Sequence, residues 1–218
     1  MRFYLETAHY SEAQRAAALG FVAGVYIPRK VVEEDGRDYL ALVEEMSALS
    51  LPWLGLEVES LDSQSMATEI AEFTRILQGA TYHAFAPLTL STLHAVHEQV
   101  EQHSSVRLGM HSICSLTQLL LAARTGATDV VFDAHMLASV GMDAPQLVSE
   151  YKRAFASYHL PCTLIIRGVR HSLDVERMAL ALADGVICTW DVLVGLAYHP
   201  YSDVSILRKL ELRTNQPT

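Results

Sequence analysis

Four side chains that could bind a metal or move a proton lie in short apolar segments of the sequence: His83, His111, Asp133 and His135. Imidazole and carboxylate groups that converge from neighbouring strands can hold Zn²⁺ or another divalent metal, with one position open for water. They can equally form a proton-transfer or anion-binding group, or be hydrogen-bonded residues of the core. No HxH or HExxH spacing separates these interpretations.

Three basic side chains are candidates for binding an anion: Lys30, Arg167 and Arg170. A guanidinium can contact two phosphate oxygens at once, which favours the two arginines for this role. For Arg167 the alternative is a surface ion pair with Asp174 or Glu176. For Lys30 the alternative is a solvated position in the loop after a strand.

Short apolar runs alternate with longer helical patterns along the whole chain. The eight predicted strands are 2–7, 24–27, 53–59, 81–86, 106–113, 129–135, 162–169 and 185–190. This alternation predicts an α/β fold, a closed (β/α)8 TIM barrel with a C-terminal helix, as a single domain over residues 1–218. Such barrels carry their sites where the strands end, so the candidate side chains should meet at one face.

Composition restricts the function classes. Hydrophobic residues make up 50% of the chain and charged residues 19%, which allows a large core. The net charge of −9, without a basic run, argues against nucleic-acid or anionic-membrane partners. Three widely spaced cysteines, no signal segment and no membrane-length apolar run predict a reduced, cytoplasmic protein. Apart from a divalent metal, we expect no cofactor.

Several segments, in order along the chain, match one family pattern. RFYLETAHY resembles xLYLDTAN, GVYIPRK resembles GVTTNPS, LEVESLDSQSM resembles EVxSLDxxGM, and QLLLAARTGATDV resembles ALLAAKAGAxYV. These patterns are typical of the small transaldolase family that includes fructose-6-phosphate aldolase. The resemblance implies a (β/α) barrel, a ring-forming homo-oligomer (pentamer or decamer), and carbohydrate metabolism through a Schiff base with a sugar phosphate.

The resemblance also identifies functional positions that have changed. The family lysine lies two residues before a proline, and here the proline is Pro87 and the position is Phe85, which cannot form an imine. The family's acid falls on Glu6, and Glu57 keeps the strand-three Glu or Gln. The family's asparagine, phosphate-binding arginine, phosphate-loop serine and strand-six tyrosine fall on Pro28, Met136, Gly168 and Asp133. We therefore expect the ancestral site to be dismantled.

The inward position of the family lysine fixes which side chains should point into the barrel. By alternation His83 shares the inward face of its strand with Phe85, and His135 shares the face of Asp133. On strand five, a one-residue ambiguity leaves Met110 as the alternative to His111. The candidate catalytic residues are Glu6, Glu57, His83, His111, Asp133 and His135, and the candidate metal ligands are His111, Asp133 and His135.

The sequence leaves three functional hypotheses. The favoured one is a transaldolase-like pseudoenzyme without Schiff-base activity, which binds a sugar phosphate or serves as a scaffold. The second is an altered enzyme, a metal- or acid/base-dependent lyase or isomerase that uses the His/Asp cluster. The third is an aldolase acting through Lys30. The amphipathic tail VSILRKLEL could pack on a neighbouring subunit or on its own barrel.

Overall fold

The computed structural model describes residues 1–49, 51–102 and 107–214. Its strands are β1 (Arg2–Glu6), β2 (Val22–Ile27), β3 (Leu54–Glu57), β4 (Tyr82–Pro87), β5 (Arg107–Ile113), β6 (Asp129–Asp133), β7 (Thr163–Arg167) and β8 (Gly185–Cys188). They form a closed barrel in chain order, and each neighbouring pair is parallel. The predicted (β/α)8 TIM barrel is therefore confirmed.

At least one helix follows every strand. The helices are α1 (Tyr10–Ala18), α2 (Arg29–Glu34), α3 (Tyr39–Ser47), α4 (Ser63–Leu77), α5 (Leu90–Gln102), α6 (Leu116–Arg124), α7 (Ala134–Ser139), α8 (Ala144–Ser157), α9 (Ser172–Leu180), α10 (Trp190–Gly195) and α11 (Pro200–Thr214). Among the described residues, none of the helices combines the length and apolar character that crossing a membrane requires.

Local sequence explains why these helices pack against the barrel, as α4 illustrates. The Asp62 carboxylate accepts a hydrogen bond from the Ser65 backbone N–H at 3.0 Å and so caps the first turn. Met66, Ile70 and Phe73 follow at spacings of three or four residues and are all buried. This spacing places them on one helix face, which packs in the core between the helices and the strands.

Strand six is shorter than predicted. The apolar run suggested a strand through His135, but β6 ends at Asp133 and His135 lies in α7. The cause is a cap, because Asp133 Oδ1 accepts a hydrogen bond from the Met136 backbone N–H at 2.9 Å. The predicted strand 106–113 begins at Arg107, and residue 106 lies outside the described residues.

The predicted C-terminal helix is present as α11, which begins at Pro200. Its described side chains are exposed almost throughout, and Tyr201 is 84% exposed. Ile206 and Leu207 are also exposed. Over residues 200–209, the part of α11 whose side chains are described, the helix therefore buries little apolar surface against its own barrel.

Candidate functional site

The interior of the barrel is filled by aromatic and branched side chains. Phe85 is completely buried and packs there with Tyr4, Tyr26, Trp53 and residues of β6, β7 and β8. Its ring centroid lies 5.5 Å from that of Tyr26 and 5.9 Å from that of Trp53. The predicted inward direction of Phe85 is confirmed, and the family's lysine position holds a hydrocarbon ring.

A glycine on the next strand makes room for this ring. A Cβ at Gly109 would overlap the edge of Phe85, so a larger residue could not occupy β5 at that level. Because Gly109 faces the interior, alternation places His111 on the same face, and Met110 packs in the outer core instead. This settles the one-residue ambiguity in favour of His111.

Above the aromatic residues, at the C-terminal ends of the strands, three charged side chains form one cluster. Arg167 Nη2 donates to Glu6 Oε1 at 2.6 Å, and its Nε donates to Glu6 Oε2 at 3.1 Å. Its Nη1 donates to Glu57 Oε1 at 3.3 Å. We call Glu6, Glu57 and Arg167 the mouth cluster. Arg167, at the end of β7, thus pairs with Glu6 on β1, two strands away, and with Glu57 on β3, on the opposite side of the barrel.

Further donors fix Glu57. The Tyr26 hydroxyl donates to Glu57 Oε1 at 2.7 Å, and the Arg29 backbone N–H donates to Oε2 at 2.8 Å. The Arg29 guanidinium also donates to the Glu57 carbonyl at 3.2 Å and forms an ion pair with Glu69. Both carboxylate oxygens of Glu57 are therefore engaged by groups of the protein itself.

The protonation states in the mouth follow from burial and charge. Burial alone lowers the pKa of Arg167, but the Glu6 and Glu57 carboxylates outweigh it and raise the pKa above its ordinary value. Burial, reinforced by Glu57, raises the pKa of Tyr26 well above the usual range, so the phenol remains a donor. Burial also lowers the pKa of His111, which favours a neutral imidazole. The mouth cluster therefore keeps the Arg167 guanidinium protonated between two acidic side chains.

His83 lies at the other end of the barrel. Its Nδ1–H donates to Asp129 Oδ2 at 2.6 Å, and the Thr128 hydroxyl donates to the same oxygen at 2.7 Å. Both members of the pair are buried, and Asp129 is the first residue of β6. His83 does point inward as predicted, but it packs against Trp53 beneath the aromatic layer, away from the mouth.

The predicted metal ligands are not brought together. His111 Nδ1 lies 2.9 Å from Ser112 Oγ at the end of β5, while Asp133 caps α7 and His135 contacts Arg170. Across residues 1–49, 51–102 and 107–214, no three His, Cys, Asp or Glu side chains are grouped so that they could hold a metal ion. The prediction that His135 and Asp133 share an inward strand face is wrong, because the chain turns into a helix between them.

None of the three lysines lies in the mouth. Lys30 is on α2, where its side chain is 83% exposed and its Nζ lies 3.6 Å from Glu34 Oε1. Lys152 Nζ donates to both carboxylate oxygens of Asp184 at 2.7 Å, near the start of β8. Lys209 is exposed on α11. Lys30 therefore has the solvated position that the sequence allowed as its alternative.

A cleft of about 860 Å³ opens beside the barrel, over the loops that follow β6 and β7. Its polar lining residues are His135, Asp143, Arg170, His171, Asp174 and Arg177. Ala134, Ala138 and Met178 are among the apolar residues of its wall. We call this the outer cleft. It brings together Arg170, which the sequence predicted as an anion ligand, and His135.

Gly168 allows the two loops of the outer cleft to approach each other. Its φ of +78° lies in the left-handed region, which favours glycine. A Cβ there would overlap Asp133 Oδ1 and would lie 2.9 Å from the His135 backbone nitrogen. Glycine is therefore favoured at position 168, where the family has its phosphate-loop serine, because the backbone there approaches Asp133 and His135 closely.

Sequence reasoning missed several members of these sites. It offered a phosphate contact or a surface ion pair for Arg167, but the guanidinium is bound by Glu6 and Glu57. Asp174 instead accepts hydrogen bonds from the backbone N–H groups of Arg170 and His171. The inward direction of Arg167 could have been read from its alternation with Ile165, which is buried in the barrel interior.

The fold and the charged ends of its strands define a (β/α)8 barrel protein with its candidate site at the C-terminal face. No family model matches the chain. A Methanococcus vannielii protein named probable transaldolase is 30% identical over 206 residues, which are 94% of each chain. A Desulforamulus reducens protein of the same name is 31% identical over 206 residues, again 94% of each chain. The chain therefore belongs to the transaldolase family.

Solved structures agree at the level of the fold. Two crystal structures of mandelate oxidase variants each match with a TM-score of 0.60 and 14% sequence identity. The matches cover 87% and 86% of this chain, which spans only 65% and 64% of those oxidase chains. At this identity the likeness establishes the barrel alone.

Proposed function

We propose that this transaldolase-family protein performs no Schiff-base chemistry and binds a sugar phosphate through its C-terminal face. The observation that carries the first part is Phe85, which is completely buried among Tyr26, Trp53 and their neighbours where the family has its lysine. An imine requires an amine, and phenylalanine supplies none. The exposed position of the Lys30 side chain and the ion pair of Lys152 with Asp184 support the same conclusion.

The outer cleft supports the anion-binding part of the proposal. Arg170 and Arg177 bring two guanidinium groups to its wall, and these groups are suited to phosphate oxygens. Arg167 is a weaker candidate because Glu6 and Glu57 already bind its guanidinium. We therefore assign the phosphate end of the ligand to the outer cleft and give no ligand role to Lys30.

Calorimetric titration with fructose 6-phosphate, and with fructose as the uncharged reference, tests this assignment. We expect fructose 6-phosphate to bind and R170Q to weaken its binding by about tenfold or more, because a hydrogen bond to a charged group is lost. The matched control is R124Q, at an exposed arginine on α6. Equal binding of fructose and fructose 6-phosphate would exclude a phosphate site in the outer cleft.

An aldol-cleavage assay tests the loss of chemistry separately. With fructose 6-phosphate as substrate, we expect no release of glyceraldehyde 3-phosphate above the rate of a heat-denatured sample. Release that disappears in K30A would establish the third hypothesis, an aldolase acting through Lys30. Release that survives in K30A would place the activity elsewhere in the chain.

The second candidate function is an acid/base enzyme, and the observation that favours it is His111. Burial lowers the pKa of His111, which favours its neutral imidazole, and the residue lies on the mouth side of β5. A neutral imidazole can accept a proton from a substrate. Proton exchange at the carbon next to a sugar carbonyl, lost in H111Q, would support this candidate. Stoichiometric zinc in untagged protein, lost in H111Q, would instead support the metal-dependent form.

We also propose a homo-oligomer, either a pentamer or a decamer, in which α11 contacts a neighbouring subunit. The exposed Tyr201, Ile206 and Leu207 support this proposal, since apolar side chains on a helix favour a packing partner. Light scattering should give a mass of five or ten chains, and a monomer mass would contradict it. A cytoplasmic location stays a prediction from the sequence.

A further inference from the structure

The indole N–H of Trp53 is a buried donor at the N-terminal end of the barrel. Trp53 immediately precedes β3, and the residue is only 6% exposed. Within the part of the chain that the structure describes, no acceptor lies within hydrogen-bond distance of Nε1. A buried donor without an acceptor costs free energy, because it gives up a hydrogen bond to water and gains none. Such a donor therefore points to a partner from outside the chain.

Two glycines keep the indole in this position. A Cβ at Gly24 would overlap the Trp53 backbone, and a Cβ at Gly55 would overlap the edge of the Trp53 ring. The ring of Tyr4 packs on the indole at a centroid separation of 4.4 Å. The indole is thus held inside the barrel, where its N–H is out of reach of bulk solvent.

His83 brings a second ring nitrogen to the same space. Its ring centroid lies 5.3 Å from that of Trp53, and no direct hydrogen bond joins the two rings. Nδ1 is engaged by Asp129 Oδ2 at 2.6 Å, which leaves Nε2 available to another partner. Two hydrogen bonds to one oxygen atom span about 5 Å between the outer heavy atoms. The two rings are therefore close enough for one small molecule to contact both nitrogens.

The chemistry of these groups selects a neutral molecule. A metal cation does not fit, because the indole presents a hydrogen and not a lone pair. An anion is disfavoured by the Asp129 carboxylate, which binds the other nitrogen of the same imidazole. A water molecule both donates and accepts. It can accept from the indole and pair with His83 Nε2 whether or not that nitrogen carries a proton.

We propose that one water molecule is bound inside the N-terminal end of the barrel, where it accepts from Trp53 Nε1–H and hydrogen-bonds His83 Nε2. It extends a buried polar chain that continues from His83 to Asp129 and the Thr128 hydroxyl. The inference is independent of the proposed function, because these residues lie at the opposite end of the barrel from the mouth and the outer cleft.

A crystal structure that resolves ordered water tests the site directly. We expect one density peak within about 3.2 Å of both Trp53 Nε1 and His83 Nε2. In H83L the peak should be lost, because leucine offers no polar atom and a buried water needs at least two partners. A direct hydrogen bond between the two nitrogens in the wild type, or no density between them, would overturn the proposal.

Ultraviolet resonance Raman spectroscopy tests the same hydrogen bond in solution, whatever the size of the oligomer. The chain has two tryptophans, so W190F leaves Trp53 as the single source of the indole signal. We expect the band that reports N–H hydrogen bonding to have the frequency of a bonded indole in W190F. It should shift to the frequency of a free indole in W190F/H83L. A free-indole frequency in W190F itself would contradict the bound water.

Two further variants, made in the W190F background, identify the partner of the water. Y4F removes a hydroxyl next to the indole and keeps the imidazole, while H83Q keeps a side-chain acceptor. Both should retain the bonded frequency. If Y4F loses it and H83L keeps it, the assignment to His83 is overturned. Thermal unfolding shows whether each variant folds, and if H83L does not, the wild-type crystal structure and the W190F spectrum still decide.

Discussion

The mouth of the barrel and the outer cleft both contain charged side chains, but the charges are used differently. In the mouth, Arg167 is bound by Glu6 and Glu57, and Glu57 also accepts hydrogen bonds from Tyr26 and Arg29. In the outer cleft, arginines line a space of about 860 Å³. The protein pairs the first set of charges with one another, whereas the cleft arginines are exposed and the Arg170 guanidinium contacts only the His135 ring among the hydrogen-bond partners described above.

This difference shows where a ligand can gain binding energy. A group that enters the mouth must compete with short hydrogen bonds between oppositely charged partners, which costs free energy before any is gained. A ligand in the outer cleft meets the exposed guanidinium groups of Arg170 and Arg177, of which Arg170 also donates to His135. The comparison therefore separates a region that stabilises the fold from a region suited to binding.

Removing Arg167 should produce the largest change, because it leaves two mostly buried carboxylates without their cation. We expect R167M to lower the free energy of unfolding by about 3 to 4 kcal/mol, the lower part of the range for breaking a buried pair. Urea unfolding followed by circular dichroism measures this change. The matched control R124M, at an exposed arginine, should stay within about 0.5 kcal/mol of the wild type.

A charge-free variant sharpens this test of the mouth. Adding E6Q and E57Q to R167M removes the unpaired charges, so much of the lost stability should return. If R167M is as stable as R124M, the mouth cluster does not stabilise the fold, and the contrast with the outer cleft disappears.

A side chain at Gly168 should disturb the contact between the loops of the outer cleft. We expect G168A to cost about 3 kcal/mol, because it combines a strained backbone conformation with overlap at Asp133 and His135. G36A is a useful control, since Gly36 has a φ of +67° with nothing within 4 Å of an added Cβ. A cost in G168A no larger than in G36A would mean that the loops separate easily.

Breaking the buried His83–Asp129 pair beneath the aromatic layer should cause an intermediate loss of stability, and this loss should depend on pH. We expect D129N to lose about 2 kcal/mol at neutral pH, because His83 and Thr128 lose a charged acceptor. Burial raises the pKa of Asp129, but the hydrogen bond and charge of His83 outweigh it, so the folded pKa lies below the ordinary value.

The sign of the pH dependence of stability follows from the lowered pKa of Asp129. A lowered folded pKa contributes stability that is fully present above the unfolded value, about 3.9, and is lost as the pH falls through the folded value. Urea unfolding between about pH 2 and 7 should therefore show a steeper acid loss in the wild type than in D129N. If the free energy of unfolding of the wild type and of D129N fell equally with decreasing pH, the Asp129 carboxylate would not be stabilised by its partners.

The smallest effect on stability is expected from the cleft arginine. R170Q should change the free energy of unfolding by less than about 0.5 kcal/mol, as exposed substitutions usually do. Fluorescence-monitored urea unfolding measures it. A cost comparable to that of R167M would mean that Arg170 serves the fold, and the distinction between the two regions would be wrong.

The fold was predictable because its signals are local and repeated. Eight apolar runs separated by helical patterns allow few arrangements, and strict strand–helix alternation selects the parallel barrel. The inward direction of Phe85 and His83 also followed, since alternation along a strand needs only one fixed point. Asp133 was misjudged because an acidic residue inside an apolar run can equally end the strand and cap a helix.

The pairing within the site was not predictable from the sequence. Glu6, Glu57 and Arg167 are separated by up to 161 positions in the chain, and their contact depends on the tilt and register of strands across the barrel. The outer cleft likewise depends on the close approach of Gly168 to Asp133 and His135. No residue spacing in the sequence predicts this contact. Sequence supplied the candidate residues, and only the closed barrel determined their partners.

The most direct measurement of the central claim is the mass of the intact protein after borohydride reduction in excess dihydroxyacetone or fructose 6-phosphate. Because Phe85 fills the position of the imine-forming lysine, we predict an unchanged mass at neutral pH. A reduced adduct on the wild-type chain, mapped by peptide sequencing to Lys30 or another lysine and absent without borohydride, would contradict the claim.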